Sequence, residues 1–130
     1  MHVALPLGEV VDKVTILLLK EKYLSSPEAL HNVQAELAAL KKSWADAGLS
    51  PMETLAGWHR LCEVNAALWK VEDDLRDCER AQQFDTHFIS LARSVYHLND
   101  QRAVLKRSIN TTLGSELIEE KSYSDYSVSS

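Results

Sequence analysis

Two ionisable residues stand in helical stripes that are otherwise apolar. One stripe reads Leu61, Asn65, Leu68, Glu72, Leu75; the other reads Phe88, Leu91, Val95, Leu98, Arg102, Leu105, Ile109. Steps of four and three line up one face of a helix, so Glu72 and Arg102 are expected to point at apolar neighbours. Burying a charge is costly unless it is paired and hydrogen-bonded. If the two segments form a hairpin turning near Phe84, facing residues have numbers that sum to about 168, as in antiparallel neighbours with a short connection. Asn65, Glu72, Tyr96, Asn99 and Arg102 then share a seam, with Arg76 one turn from Glu72 and able to pair with it. Lys106 and Asn110 continue the polar line, and Glu9, Asp12 and Lys13 form a compact polar group near the start of the chain.

Two chemistries fit this pattern. In one, the seam is a closed network: Glu72 accepts from Tyr96, Asn99 or Arg76, while Arg102 holds Asn65 and a carboxylate, and the network sets helix register. In the other, it is a cleft where Arg102, Arg76 and Lys106 meet an anion, with Asn65 and Asn99 orienting it. Arginine suits bidentate recognition of phosphate or carboxylate, so a phosphorylated or carboxylated ligand is the expectation there.

Other constellations are incomplete. His59 and Glu63 have a helical metal-ligand spacing, but no repeated Glu-x-x-His accompanies them, as di-metal bundles require. Glu72, Asp73, Asp74 and Asp77 resemble the acidic clusters of magnesium-binding helical pyrophosphatases, yet they are nearly contiguous and splay around the helix instead of converging. No serine or cysteine sits in a Gly-flanked elbow, and no Gly-rich phosphate loop is present. Cys62 and Cys78 fall on or beside core stripes, where free cysteine behaves as a small hydrophobe. Trp44, Trp58 and Trp69 fall at helical core positions. No cofactor or metal is expected, and catalysis is left open.

The elements that must hold the seam are legible from capping signals. A first helix is expected from about Gly8 to Leu24, after an extended start over Met1 to Leu7 in which Pro6 stops any earlier helix. Ser26-Pro27 opens a second, carrying Leu30, Val33, Leu37, Leu40 and Trp44, with Gly48 as its left-handed end. Ser50-Pro51-Met52-Glu53 reads as a capping box for a third helix reaching about Gln82 and bending near Gly57. Asp85 caps a fourth, with Phe84 stapled on Ile89; it should run to about Thr111 and break at Gly114-Ser115. A short helical turn over 116–121 follows. The expected fold is all-α: an antiparallel up-down bundle of two shorter and two long helices, one domain over 1–121 with a flexible tail over 122–130.

The chain has 130 residues, 45% apolar and 25% charged, with only 4 Gly and 3 Pro. That is an ordinary globular balance, and the scarcity of turn formers excludes a β-rich fold. A formal charge of −5 disfavours nucleic-acid backbones. Cys62 and Cys78 lie about 24 Å apart on one expected helix and cannot bond there, so a reducing, cytoplasmic setting is expected. No signal peptide or membrane span is read. The long pair should project beyond the short pair and offer its leftover stripe to a second copy, which makes a homodimer the expected assembly.

The stretch Gly8-Glu9-Val10-Val11-Asp12-Lys13-Val14-Thr15-Ile16 resembles the opening of a small helical family of bacteria and phages, a domain of unknown function. Further landmarks are Asn65 with Leu68-Trp69-Lys70-Val71-Glu72, Leu91-Ala92-Arg93 with Val95-Tyr96, and Asn99-Asp100 with Arg102-Ala103. Leu105-Lys106-Arg107, Ile109-Asn110 and Glu119-Glu120-Lys121-Ser122-Tyr123 complete them. The resemblance implies that the seam and the Glu-Glu-Lys-Ser-Tyr end matter together, and it carries over no catalytic residue. Leu117, Ile118 and Tyr123 could anchor that end over a cleft or on a second subunit.

Overall fold

The computed structural model describes residues 6–129, with side chains over 6–114. It contains α1 (Leu7–Tyr23), α2 (Pro27–Asp46), a 3₁₀ turn (Met52–Thr54), α3 (Trp58–Arg80) and α4 (Thr86–Ser129). Among the described residues there is no strand, and the helices pack as an all-α bundle. α3 and α4 form an antiparallel hairpin. α1 lies against both of them, and α2 packs on the far side of α1. The core gathers Val11, Val14 and Leu17 of α1, Val33, Leu37 and Trp44 of α2, Trp58 and Leu61 of α3, and Ile109 and Leu113 of α4.

The capping signals place most boundaries. Ser26 Oγ accepts from Ala29 N–H at 3.4 Å, with Pro27 in the first turn of α2. Asp85 Oδ1 accepts from His87 and Phe88 N–H at 3.1 and 3.3 Å. Gly48 (φ 76°) ends α2; its N–H reaches the Ala45 carbonyl at 2.9 Å, and the next N–H, of Leu49, reaches Trp44 at 3.4 Å. This pair of bonds is a Schellman closure.

Three expectations change. The third helix begins at Trp58, not Pro51. Residues 52–54 make only a 3₁₀ turn, Leu55 is extended and Gly57 takes φ 94°. Met52 is buried in the core that Trp58 also joins, and the break lets both insert; the Ser50 capping box gives way to that packing. The Ser50 carbonyl instead accepts from Trp44 Nε1 at 2.6 Å. Phe84 packs edge-on against Phe88, centroids 5.2 Å apart, rather than stapling Ile89, which stays exposed. The fourth helix continues through Gly114-Ser115 to Ser129. One glycine costs a helix only about 1 kcal/mol relative to alanine, too little to break a long rod. The side chains of Leu117, Ile118 and Tyr123 lie outside the described residues.

α3 closes with the same Schellman bonds as α2, Gln82 N–H to Glu79 at 3.1 Å and Gln83 N–H to Cys78 at 2.9 Å. Here, however, a non-glycine residue, Gln82, holds φ 56°. The left-handed region costs an L-residue about 1–2 kcal/mol, part of which glycine's looser unfolded chain offsets. Gln82→Gly is therefore expected to raise stability by about 0.5–1 kcal/mol. A melting temperature that stays level or falls would show that the Gln82 Nε2 bond to the Glu79 carbonyl, 3.2 Å, outweighs the strain.

Candidate functional site

Gly8, Asp12 and Thr15 follow each other by four and three along α1 and so share one face. That face meets α3 and α4. Because Gly8 has no side chain, α1 comes in closely: a Cβ there would overlap the Lys106 carbonyl oxygen of α4 and lie 2.9 Å from Asn110 Oδ1. The Gly8 N–H, one of the donors left open at a helix start, gives its hydrogen to Asn110 Oδ1 at 2.5 Å. This contact sets the height at which Asp12 arrives.

Asp12 is the most buried charge among the described residues, 3% exposed. Arg102 grips it with both arms, Nε to Oδ1 at 2.9 Å and Nη2 to Oδ2 at 2.5 Å. The paired, planar geometry is the strongest form of such an interaction. Asn65, 4% exposed, donates from Nδ2 to Asp12 Oδ1 at 2.9 Å and to Thr15 Oγ1 at 2.7 Å. Thr15 in turn donates to the Asp12 carbonyl at 2.7 Å. Lys106 Nζ lies 2.7 Å from Glu9 and 4.0 Å from Asp12 Oδ2. Two cations thus meet two carboxylates, and the centre is neutral. Among the described residues, no buried side-chain nitrogen or oxygen lacks a partner.

Of the residues expected on the seam, Asn65, Arg102 and Lys106 come together here. Glu72, Arg76, Tyr96 and Asn99 do not. Arg102 does turn inward, but its carboxylate is Asp12 of α1, not Glu72. Glu72 is exposed because α1 ends before reaching it: Tyr23, the last residue of α1, stacks on Trp69 at 5.5 Å, one turn short of Glu72. Arg76 pairs with Asp73 at 2.8 Å instead of with Glu72. Tyr96 is 73% exposed and Asn99 is exposed. In the sequence Asp12 is visible only as part of a polar group, with no partner assigned. Gly8, Asp12 and Thr15 at helical spacing are the signal that could have found it.

Burial pushes the Asp12 carboxyl upward, but the hydrogen bonds from Arg102 and Asn65 and the positive charges of Arg102 and Lys106 outweigh it. The net effect is a value below the usual 3.8. A carboxyl whose folded value is depressed adds stability that is present above its unfolded value and lost as pH falls through the folded one. The Asp12 contribution is therefore complete at neutral pH and begins to be lost only as pH falls below about 3.8, toward the lower folded value. Urea midpoints measured from pH 7 to pH 2 should fall steepest in that acid window. Asp12→Asn should remove part of the slope, and an unchanged slope would contradict the assignment.

The same geometry limits the chemistry. Asp12 is already engaged on both oxygens and is poorly placed to take a substrate proton. Burial, with the neighbouring Glu63, pushes the Cys62 thiol up, away from the thiolate that nucleophilic attack needs. Cys62 and Cys78 are both free. Asp73, Asp74 and Asp77 are held in ion pairs with Arg76, Lys70 and Arg80, and Glu63 lies 3.6 Å from Arg60. A groove of about 520 Å³ runs between α1 and α2, lined by Val10, Lys13, Ile16, Leu17, Glu36 and Leu40 among others. No described helix is long and apolar enough to cross a membrane.

The signature of a family of unknown function, DUF6165, matches residues 1–130, and the chain belongs to that family. No curated protein and no solved structure matches it.

Proposed function

We propose that this member of the family is a non-enzymatic binding or assembly module of the cytoplasm, working as a homodimer. The observation that carries the reading is the neutral, fully bonded centre. Of the three cations expected to hold an anion, Arg102 and Lys106 already face Asp12 and Glu9, and Arg76 pairs with Asp73 away from them. In this reading the satisfied polar centre serves to fix helix register, a use attested for buried polar groups in some helical assemblies. What it fixes here is the hairpin of α3 and α4, which runs on past the end of α1.

That outer end supports the dimer. Phe84 (51% exposed), Ile89 (56%) and Tyr96 (73%) stand in solvent, beside the half-buried Phe88, Leu91 and Val95. Most neighbouring charges of α3 are paired within the helix, as Lys70–Asp74, Arg76–Asp73 and Arg80–Asp77, while Glu72 and Glu79 are exposed beside them. A matching surface therefore has to supply apolar area more than charge, and a second copy related by a two-fold axis does so with the same residues. The free cysteines agree with a reducing compartment.

Light scattering on the full chain tests this. A dimer is expected, and Ile89→Glu with Tyr96→Glu should give a folded monomer. A monomer at all concentrations in the unsubstituted chain would refute it. A second reading, a site for a phosphorylated or carboxylated ligand, draws on the Arg102 side chain being 27% exposed with Nη1 outside the Asp12 bonds. Thermal shifts with inorganic phosphate and acetate decide it: stabilisation by either, lost in Arg102→Lys, would favour that reading.

A further inference from the structure

The two sides of α1 are held in different ways. On the side toward α3 and α4 lie the grip of Arg102 on Asp12, the Asn65 bridge and the Gly8–Asn110 bond. On the side toward α2, the polar tie is Lys13–Glu36 at 2.7 Å, both side chains about half exposed. An exposed pair of this kind contributes little. The backbone of α2 runs close to α1 and only marginally close to α3 and α4; its reach into the shared core is through the side chains of Val33, Leu37 and Trp44. Of its 20 residues only Val33, Leu37 and Trp44 are buried. Trp44 is also the anchor, since its indole N–H bonds the Ser50 carbonyl at 2.6 Å. Both ends of α2 lead into non-helical chain, Leu24 to Ser26 on one side and Ala47 to Pro51 on the other, the latter containing Gly48 at φ 76°. The groove between α1 and α2 already separates parts of the two helices.

We infer that α2 is a cover that opens as a unit, swinging from the Trp44–Ser50 anchor, while α1, α3 and α4 stay joined through Asp12. Elements held by few buried contacts open below the global unfolding free energy. Opening uncovers the flank of α1 that carries Val10 and Leu17, now lining the groove with Leu40. This two-position element is independent of the dimer reading, because it involves neither Ile89 nor Tyr96.

Hydrogen exchange on the full chain, resolved by segment, tests the inference. Amides in the middle of α2 should exchange at least about tenfold faster than those of α1 and of Trp58–Leu68, through an opening that exposes less surface than global unfolding. Leu37→Ala should raise α2 exchange by a further factor of about ten or more and leave α3 nearly unchanged. Asn65→Ala, acting on the shared centre, should raise exchange in α1, α3 and α4 as well. A bis-maleimide cross-link joining Lys13→Cys and Glu36→Cys, positions whose native side chains meet at 2.7 Å, should abolish the α2 opening. Equal protection of α2 and α1, or a Leu37→Ala effect spread evenly over all four helices, would overturn the inference.

Discussion

Replacing Arg102 with leucine is expected to lower the unfolding free energy by about 3–5 kcal/mol, the usual cost of stranding one buried charge. Asp12, 3% exposed, would keep Asn65 and a distant Lys106 but lose both arms of the guanidinium. Most small domains are stable by only about 5–15 kcal/mol, so the variant should unfold at much lower urea. The double variant Asp12→Leu with Arg102→Leu should recover a good part of the loss, since exchanging a whole buried pair for apolar groups is often neutral. That recovery distinguishes a stranded charge from the mere loss of a contact. Arg102→Lys should fall between, keeping the charge but not the two-pronged fit. Near-normal stability of Arg102→Leu would remove the basis for treating the centre as a register device.

Gly8→Ala should cost about 1–3 kcal/mol, the range for forcing extra atoms into a close contact, although alanine is the better helix former by about 1 kcal/mol. The added carbon would collide with the Lys106 carbonyl oxygen and come within 3.1 Å of the carbonyl carbon. Both are main-chain atoms of α4, so no side-chain rotation relieves them. Relief requires α1 to back away from α4, which also loosens the Arg102 grip. Removing the other neighbour, with Gly8→Ala and Asn110→Ala together, should therefore not restore stability. Circular dichroism during thermal unfolding is sufficient to read the effect. A Gly8→Ala variant as stable as the original would mean that α1 has room to shift without loss.

Much of this architecture could be read from residue order because its determinants are local. Ser26-Pro27, Gly48 and Asp85 act on backbone groups within a few positions, and their chemistry is the same in any fold. Asn65 and Arg102 were legible as inward-facing because polar residues in apolar stripes must find partners. Which partner they find depends on a third helix. Periodicity on α3 and α4 says which faces are buried, but not where α1 begins and ends along them. Glu72 has the right phase and the wrong height: the covering helix has stopped at Tyr23. Gly57 shows a different limit. Ser50 to Glu53, a few residues before it, read as a capping box, yet burial of Met52 and Trp58 in one cluster outweighs a cap of about 1 kcal/mol.

The Asp12–Arg102 pair joins residues 90 positions apart, and the Gly8–Asn110 bond spans 102. Helical bundles usually fold fast because their contacts are local, and the α3–α4 turn can close with little entropy lost. The lock on α1 cannot: it must await the arrival of nearly the whole chain. It is therefore expected to form late, and substitutions at Asp12 or Gly8 should speed unfolding more than they slow folding, which stopped-flow rates for both directions would read.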